Sequence, residues 1–548
     1  MNRTLAAAFL LTLTAAPGFA APHARDLSDD ELIGQTFLIA IDTSIADERE
    51  ADVRAGRVGG VILRWDRFTG AQARAISARL QEWSLSAPHR VPVWVSADHE
   101  GGPVFTQRDY GTAPFPGNMA LGATRSASLA RAAAKTTGRE LRALGVHVTF
   151  APDLDVNSNP DNPVIGLRSF GGDPALVARL GVAALSGYAA GGVLAVPKHF
   201  PGHGDTSVDS HLGLPVSRKT LPELERVELV PFRAAFKAGA RAVMPAHMVF
   251  AALGTGPAQP VTLSSAALRG FLRGTLGFRG LIFSDSLDMG AIADVYGSSQ
   301  AAVLALQAGN DVLVLGKADY PSAFAAVRAA LKSGALTRAR LEESVDRILA
   351  AKRRLGLFTR RAPRPLSASE YARGRALARR TAERAVTVIR SGGLLPLKPA
   401  PAETVGLVLA HSPRYAAEAA LFAREIARRH PRTVVVDLPA TPSSAQVDAA
   451  LARLAGADAV VAGTSQFGGP LPPGQRRLLS RLIAGPAPVV ALSLMNPYDL
   501  SASTGARAAV ALYGLTDSSV RAAARVLFGE IAARGRLPVV VPGLAPAP

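Results

Sequence analysis

The chain has 548 residues, 48% of them hydrophobic, a formal net charge of +18 and no cysteine. That length exceeds one ordinary hydrophobic core and calls for two domains, one of them large; the lack of cysteine excludes disulfides and a lipidated-cysteine anchor. The positive charge suits an anionic partner, yet the arginines are scattered along helical stretches such as 340–354 and 373–384 without a basic tail or interleaved aromatics, so a solvated surface is expected and nucleic-acid binding is not.

In chain order, residues 1–24, MNRTLAAAFLLTLTAAPGFAAPHA, join a basic start at Arg3 to an apolar run at 5–16 and then to small residues. This pattern predicts a signal peptide and an exported protein, periplasmic, wall-associated or extracellular. The apolar run is shorter than the roughly 20 residues that span a bilayer, so no stable membrane insertion is expected after cleavage. Eight short apolar runs follow, at 36–42, 60–64, 91–98, 148–156, 193–200, 242–250, 281–287 and 311–316. Helical patterns separate most of them, for example at 126–144, 174–190, 221–238, 263–275 and 290–308. The alternation predicts a (β/α)8 TIM-type barrel over residues 25–356. Asp98, Asp155, Lys198, His199, His247 and Asp285 all fall at the C-terminal ends of these runs, the end where such barrels carry chemistry.

The basic, proline-containing LFTRRAPRPL opens a linker, 357–371, and residues 372–548 form a second unit. Its strand patterns lie at 385–390, 405–410, 433–438, 459–463, 489–494, 508–513 and 538–541, and its helical patterns at 416–429, 445–454, 474–483 and 518–533. A smaller α/β sandwich with a largely parallel sheet is expected. Asn496, Pro497 and Tyr498 form its polar tip, and no segment specifies an oligomeric state.

The most unusual stretch is PKHFPGHGDTSVDSHLGLP, residues 197–215. His199, His203, His211, Asp205 and Asp209 are enough ligands for zinc, but the spacing is not that of a helical H-E-x-x-H site, and Pro201, Gly202 and Gly204 exclude a regular helix. The expectation is no metal and no cofactor. A different reading pairs Asp209 with His211: the carboxylate fixes one ring nitrogen and leaves the other to exchange protons near neutral pH. A D-x-H contact that merely orders a loop has the same spacing. In GLIFSDSLDMGAI, residues 280–292, a strand ends at Asp285, whose carboxylate suits a nucleophile, a base, a ligand or a helix cap, with Asp288 as its competitor. ADHEGG, residues 97–102, ends a strand at Asp98 before a glycine turn, and NPVIGLRSFG, residues 162–171, offers the forked donors of Arg168 or a plain salt bridge.

Together these segments resemble glycoside hydrolase family 3, in its β-N-acetylglucosaminidase branch, which includes peptidoglycan-recycling enzymes. Residues 198–211 match that branch's K-H-F-P-G-H-G…D-S-H signature, and ADHEGG, APDLDVN, IGLRSFG and FSDSLDM occur in the family's order. The resemblance implies that Asp285 is the nucleophile, that His211 paired with Asp209 is the general acid/base, and that Asp98, Arg168, Lys198 and His199 hold the terminal sugar. It implies an N-acetylglucosamine-containing glycan as the partner and retaining hydrolysis as the reaction. Phosphorolysis, β-glucosidase activity and non-catalytic aminosugar binding are the alternatives. Where the branch reads E-G-G-R-V-x-R, this chain has EGGPVFTQRDYG: Pro103 and Thr106 replace the arginines, and Arg108 is the substitute candidate for the sugar contact.

Overall fold

A computed structural model describes residues 21–43, 45–64, 68–102, 111–359 and 363–544. The first domain contains β1 (Phe37–Ile41), β2 (Gly60–Leu63), β3 (Trp94–Ala97), β4 (Val148–Thr149), β5 (Leu194–Ala195), β6 (Lys198–Phe200), β7 (Ala242–Pro245), β8 (Leu281–Ile282) and β9 (Leu313–Gly316). Every one of the eight apolar runs contributes a strand, and the runs at 193–200 and 242–250 contribute two each, the second of the latter, Val249–Phe250, pairing separately and in parallel with Val216–Ser217. Their pairings are all parallel, as connections through helices require.

Hydrogen bonding divides these strands into a six-stranded sheet, β9-β1-β2-β3-β4-β5, and a three-stranded sheet, β8-β7-β6. Isolated bridges, Asp153 with Lys198 and Phe283 with Val312, connect the two. The expected barrel is thus present in its strand order, but a continuous closed ladder is not formed among the described residues. Pro152 and Pro197 account for one break, because neither has an N–H to continue the pairing of β4 and β5. Side chains from both sheets still share one interior: Leu38, Trp94, Val148, Phe150, Met244, Phe283 and Val314 form a single buried cluster.

Helix boundaries follow from local chemistry. Ala127–Ala143 starts where the Ser126 hydroxyl accepts the Leu129 N–H, and Pro174–Gly191 starts where the Asp173 carboxylate accepts the Ala175 N–H. These two helices pack closely because Gly187 has no side chain; a Cβ there would lie 2.3 Å from the Arg131 carbonyl oxygen. The helix expected at 221–238 is instead two, Leu221–Arg226 and Leu229–Lys237. Val227 leaves the helical region at the break, and the buried Glu228 beside it is held 2.6 Å from the Lys219 ammonium.

The second domain contains β10 (Thr387–Arg390), β11 (Val405–His411), β12 (Thr433–Pro439), β13 (Ala459–Thr464), β14 (Val489–Ser493) and β15 (Ala508–Ala511), ordered β10-β15-β14-β13-β11-β12. Only the β10–β15 pair is antiparallel. Helices Ala416–Arg429, Ser444–Leu454, Pro473–Ile483 and Asp517–Leu527 cover the sheet. The expected strand at 538–541 does not form: Pro538 has no N–H for a ladder, and its carbonyl accepts the Gly172 N–H of the first domain instead. A helix, Ala368–Ala385, begins inside the stretch read as linker, started by a reciprocal cap between Ser367 and Glu370. It packs against Asn118–Thr124 and Ala127–Ala143 on one side and Asp517–Leu527 on the other. Among the described residues no helix is long and apolar enough to cross a membrane.

Candidate active site

The C-terminal ends of β3, β4, β6, β7 and β8 bring together Asp98, Glu100, Asp153, Asp155, Lys198, His199, His247 and Asp285. After β3 the chain turns at Gly101 and Gly102, both with positive φ, and a Cβ on Gly102 would lie 2.9 Å from the Gly117 Cα. This turn aims Glu100 inward, where it is buried and accepts from both nitrogens of the Arg168 fork at 2.9 Å. The Lys198 ammonium lies 2.7 Å from Glu100 and donates to Asp98 at 3.1 Å. Burial alone would raise the Glu100 pKa, but Arg168 and Lys198 outweigh it and hold the carboxyl down at about 2. Asp98 is the more exposed acid of this group, with a quarter of its side chain accessible.

Arg168 is therefore no surface ion pair. It is buried, it also donates to the Val164 carbonyl, and one of its nitrogens lies 3.2 Å from His199 Nε2. A guanidinium has no acceptor atom, so His199 Nε2 must carry the lone pair and Nδ1 the proton, which is donated to Asp155 at 2.7 Å. Burial raises the Asp155 pKa, but His199 and the His203 N–H at 2.6 Å reverse that and keep it ionised. Burial and the adjacent Asp155 charge push Asp153 the other way, well above the ordinary carboxyl range. Asp153, Asp155 and His199 offer ligand atoms within 4.8 Å of one another, but the cation they face is the Arg168 guanidinium, 3.7 Å from Asp153.

Asp285 follows β8 at a partly exposed position, and its Oδ1 accepts the Ser286 N–H at 2.7 Å. Desolvation raises its pKa, yet His247, His199, Lys198 and the Ser286 N–H together bring it down to about 2. His247 is fully buried, with Nε2 3.0 Å from the Ser286 carbonyl and Nδ1 2.8 Å from the Thr262 hydroxyl. Burial lowers the His247 pKa, Nε2 donates to the Ser286 carbonyl, and the Thr262 hydroxyl lying against Nδ1 donates its own proton to the Ala246 carbonyl at 3.1 Å. Asp288 accepts from the Ser286 hydroxyl at 2.6 Å and from the Lys317 N–H at 2.7 Å, so its carboxylate shapes the turn that presents Asp285.

The loop after β6 has a fixed base and an exposed tip. Gly204 approaches the Val156 carbonyl so closely that a Cβ would lie 1.9 Å away, and His203 Nε2 meets the Ser210 hydroxyl at 3.0 Å. Asp205 is held by Lys219 at 3.0 Å and by the Ser158 hydroxyl at 3.1 Å. At the tip, His211 Nδ1 and its own N–H both point to Asp209 Oδ1, at 2.8 and 2.9 Å. The imidazole is exposed, with Nε2 facing away from the carboxylate. Carbonyls of Ser210 and His211 accept the N–H groups of Ala291 and Gly290, which open the helix Gly290–Ala308 just beyond Asp285.

The five supposed zinc ligands of the loop are thus separated into different partnerships. Asp285, the Asp209–His211 pair, Asp98, Lys198, His199 and Arg168 are all found at one end of the first domain, whereas Arg108 lies outside the described residues. Sequence reasoning missed Glu100, although it sits inside ADHEGG, and gave no role to Asp153, Asp155 or His247. A run of strand-end ionisable residues is the signal that held them.

The chain belongs to glycosyl hydrolase family 3: the family's N-terminal domain matches residues 29–351 and its C-terminal domain residues 297–545. It is similar to the beta-hexosaminidase A of Pseudoalteromonas piscicida, 33% identical over 363 residues, covering 62% of this chain and 61% of that protein. The match therefore spans less than two thirds of that relative's length. It is also similar to the structure of a family 3 β-N-acetylglucosaminidase from Paenibacillus sp. str. FPU-7, with a TM-score of 0.87, 35% identity, and coverage of 94% of this chain and 99% of that one. The structure of the β-glucoside phosphorylase BglX bound to 2FGlc matches with a TM-score of 0.83 and 26% identity, over 94% of this chain and 95% of that one.

Proposed function

We propose that this protein is an exported, retaining, exo-acting β-N-acetylhexosaminidase that removes terminal β-linked N-acetylglucosamine from cell-wall or chitin-type oligosaccharides. The observation that carries the reading is the pairing of an ionised, partly exposed Asp285 with an Asp209–His211 dyad whose loop rests on the helix following Asp285. The relatives named β-hexosaminidase and β-N-acetylglucosaminidase support it.

In the first step an Asp285 oxygen attacks the anomeric carbon while His211 Nε2–H protonates the departing glycosidic oxygen, giving a glycosyl ester and a free alcohol. Asp209 holds Nδ1–H and stabilises the ring as it changes charge. In the second step neutral His211 takes a proton from water, the water oxygen attacks the anomeric carbon, and Asp285 leaves as a carboxylate. Asp98, Lys198, His199 and Arg168 hold the hydroxyls of the terminal sugar, and Glu100 keeps the two cations in place.

Phosphorolysis is the second reading, favoured by the likeness to a phosphorylase and by the use of an imidazole, which repels an incoming phosphate less than a carboxylate does. The deciding experiment incubates the enzyme with an aryl N-acetylglucosaminide and the matching glucoside, with and without phosphate, and traps the intermediate with a 5-fluoro N-acetylglucosaminyl donor. The expected result is free N-acetylglucosamine of retained configuration, and the trapped sugar on the peptide carrying Asp285. Sugar 1-phosphate as the main product would establish phosphorolysis, preference for the glucoside a β-glucosidase, and no turnover a binding protein. Wild-type rates in Asp285→Ala would overturn the assignment of the nucleophile.

A further inference from the structure

Outside the catalytic end, a cavity of about 200 Å³ is lined by Arg269, Arg273, Gly309, Arg340, Glu343 and Arg347. Three of its four guanidiniums are held rigidly. Arg273 donates to Asp311 at 2.7 Å and to the Gly280 carbonyl at 3.1 Å, and Arg347 donates to Asp311 at 3.0 Å. Arg340 donates to the Leu306 and Asn310 carbonyls and to the Ser344 hydroxyl. Arg269 has an exposed side chain whose ion pair to Glu343 is long, at 3.9 Å. Gly309 leaves the wall open: a Cβ there would lie 3.0 Å from the Arg269 stem.

Two carboxylates, Asp311 and Glu343, face four guanidiniums, so the cavity carries an excess of two positive charges. Burial pushes the pKa of Arg273 and Arg340 below the usual arginine range despite Asp311. Forked guanidiniums fixed around an open volume match the geometry of a tetrahedral oxyanion. We infer that this cavity binds a phosphate group, at a site separate from the sugar site and independent of any catalytic assignment there. Its place in the fold supports the separation. Gly309 and Asp311 precede β9 and Gly280 precedes β8, whereas Asp285 follows β8. The two sites thus lie at opposite ends of the same strands, roughly 15 Å apart along the chain direction. A phosphate bound there does not reach the anomeric carbon, and the site has room for part of the group to which the phosphate is esterified.

The test titrates the full-length protein with inorganic phosphate at constant ionic strength, by calorimetry and by thermal shift. Saturable binding and a rise in Tm are expected. Arg269→Glu should weaken phosphate at least about ten-fold, the worth of one charge-assisted contact, while leaving hydrolysis of the aryl glycoside unchanged. Arg269→Lys should keep part of the affinity. A short synthetic poly(glycerol phosphate) distinguishes the source: tighter binding than phosphate, lost in Arg269→Glu, assigns the site to a phosphodiester polymer, and binding of phosphate alone assigns it to the free ion. Absence of saturable binding by either probe, or equal affinity in Arg269→Glu, would overturn the inference.

Discussion

At Asp285, burial favours the neutral acid, but His247, His199, Lys198 and one backbone N–H favour the carboxylate and prevail. His211 is held differently, by one carboxylate at the tip of an exposed loop. Truncating it removes the proton carrier of the proposed mechanism without leaving a buried charge unpaired. His211→Ala should therefore slow hydrolysis of a sugar leaving group by about 10² to 10⁴, with Tm unchanged and an activated aryl glycoside less affected in the first step. Equal losses on both substrates would count against the acid role. Glu100 is the opposite case, since it is buried and is shared by Arg168 and Lys198. Glu100→Gln should cost about 3–5 kcal/mol in chemical denaturation, the usual penalty for removing one partner of a buried pair. The aspartates at strand tips were legible in the sequence because polar residues at the end of apolar runs stand out. Glu100 was not, because its role depends on cations contributed by residues 168 and 198.

The decisive element is the loop after β6, which meets the helix Gly290–Ala308. Its backbone rests on that helix through Gly290, where a Cβ would lie 2.7 Å from the His211 carbonyl oxygen. Gly290→Val should displace the tip and lower kcat for a sugar leaving group more than for an aryl one, while the folded base of the loop keeps the unfolding free energy within about 1 kcal/mol of wild type. An unchanged kcat would show that the contact does not seat the loop. A second element contact joins the helices Ala127–Ala143 and Ala368–Ala385 at Glu140. Desolvation raises the Glu140 pKa to about 7, only partly countered by the Ala113 N–H and Arg375. The folded value lies above the ordinary one of 4.5, so this group's contribution to stability is full below pH 4.5 and is lost as pH rises through about 7. Glu140→Gln should remove about 3 kcal/mol of that pH dependence, read as unfolding free energy across pH 4.5 to 8. A wild-type stability that stays flat over this range would refute the burial argument.

For the whole molecule, the two domains share structure as well as chain. Met119, Ala120, Ala123 and Leu167 of the first belong to the buried cluster of the second. Tyr498 donates to the Asn157 carbonyl at 3.2 Å and accepts from the Asn157 amide at 3.1 Å, and Gly166 lies against the Phe467 carbonyl. The second domain therefore braces the segment that carries Arg168. Calorimetry should show one unfolding transition for both domains. Tyr498→Phe should lower stability by about 1–2 kcal/mol, the worth of two neutral hydrogen bonds, and should raise KM more than it lowers kcat. Two separated transitions in the wild type would mean that this bracing is weak.

Strand positions, most helices and the motif residues were written in local pattern, because hydrophobic periodicity, caps and prolines act over a few neighbours. That is why all eight runs in the first domain became strands, and why the Asp209–His211 contact, two residues apart, was readable. The missing strand at 538–541 depends on a partner remote in sequence, Gly172 of the first domain, whereas Pro152 and Pro197 interrupt the ladder through their own missing N–H. The amino-acid sequence by itself determined the alternation, the two-domain plan and the identity of the strand-tip acids. Only the tertiary structure decided in which direction burial and neighbouring charges shift those acids, which of them face cations, and where the histidine loop rests, because each depends on charges and burial brought together from distant segments.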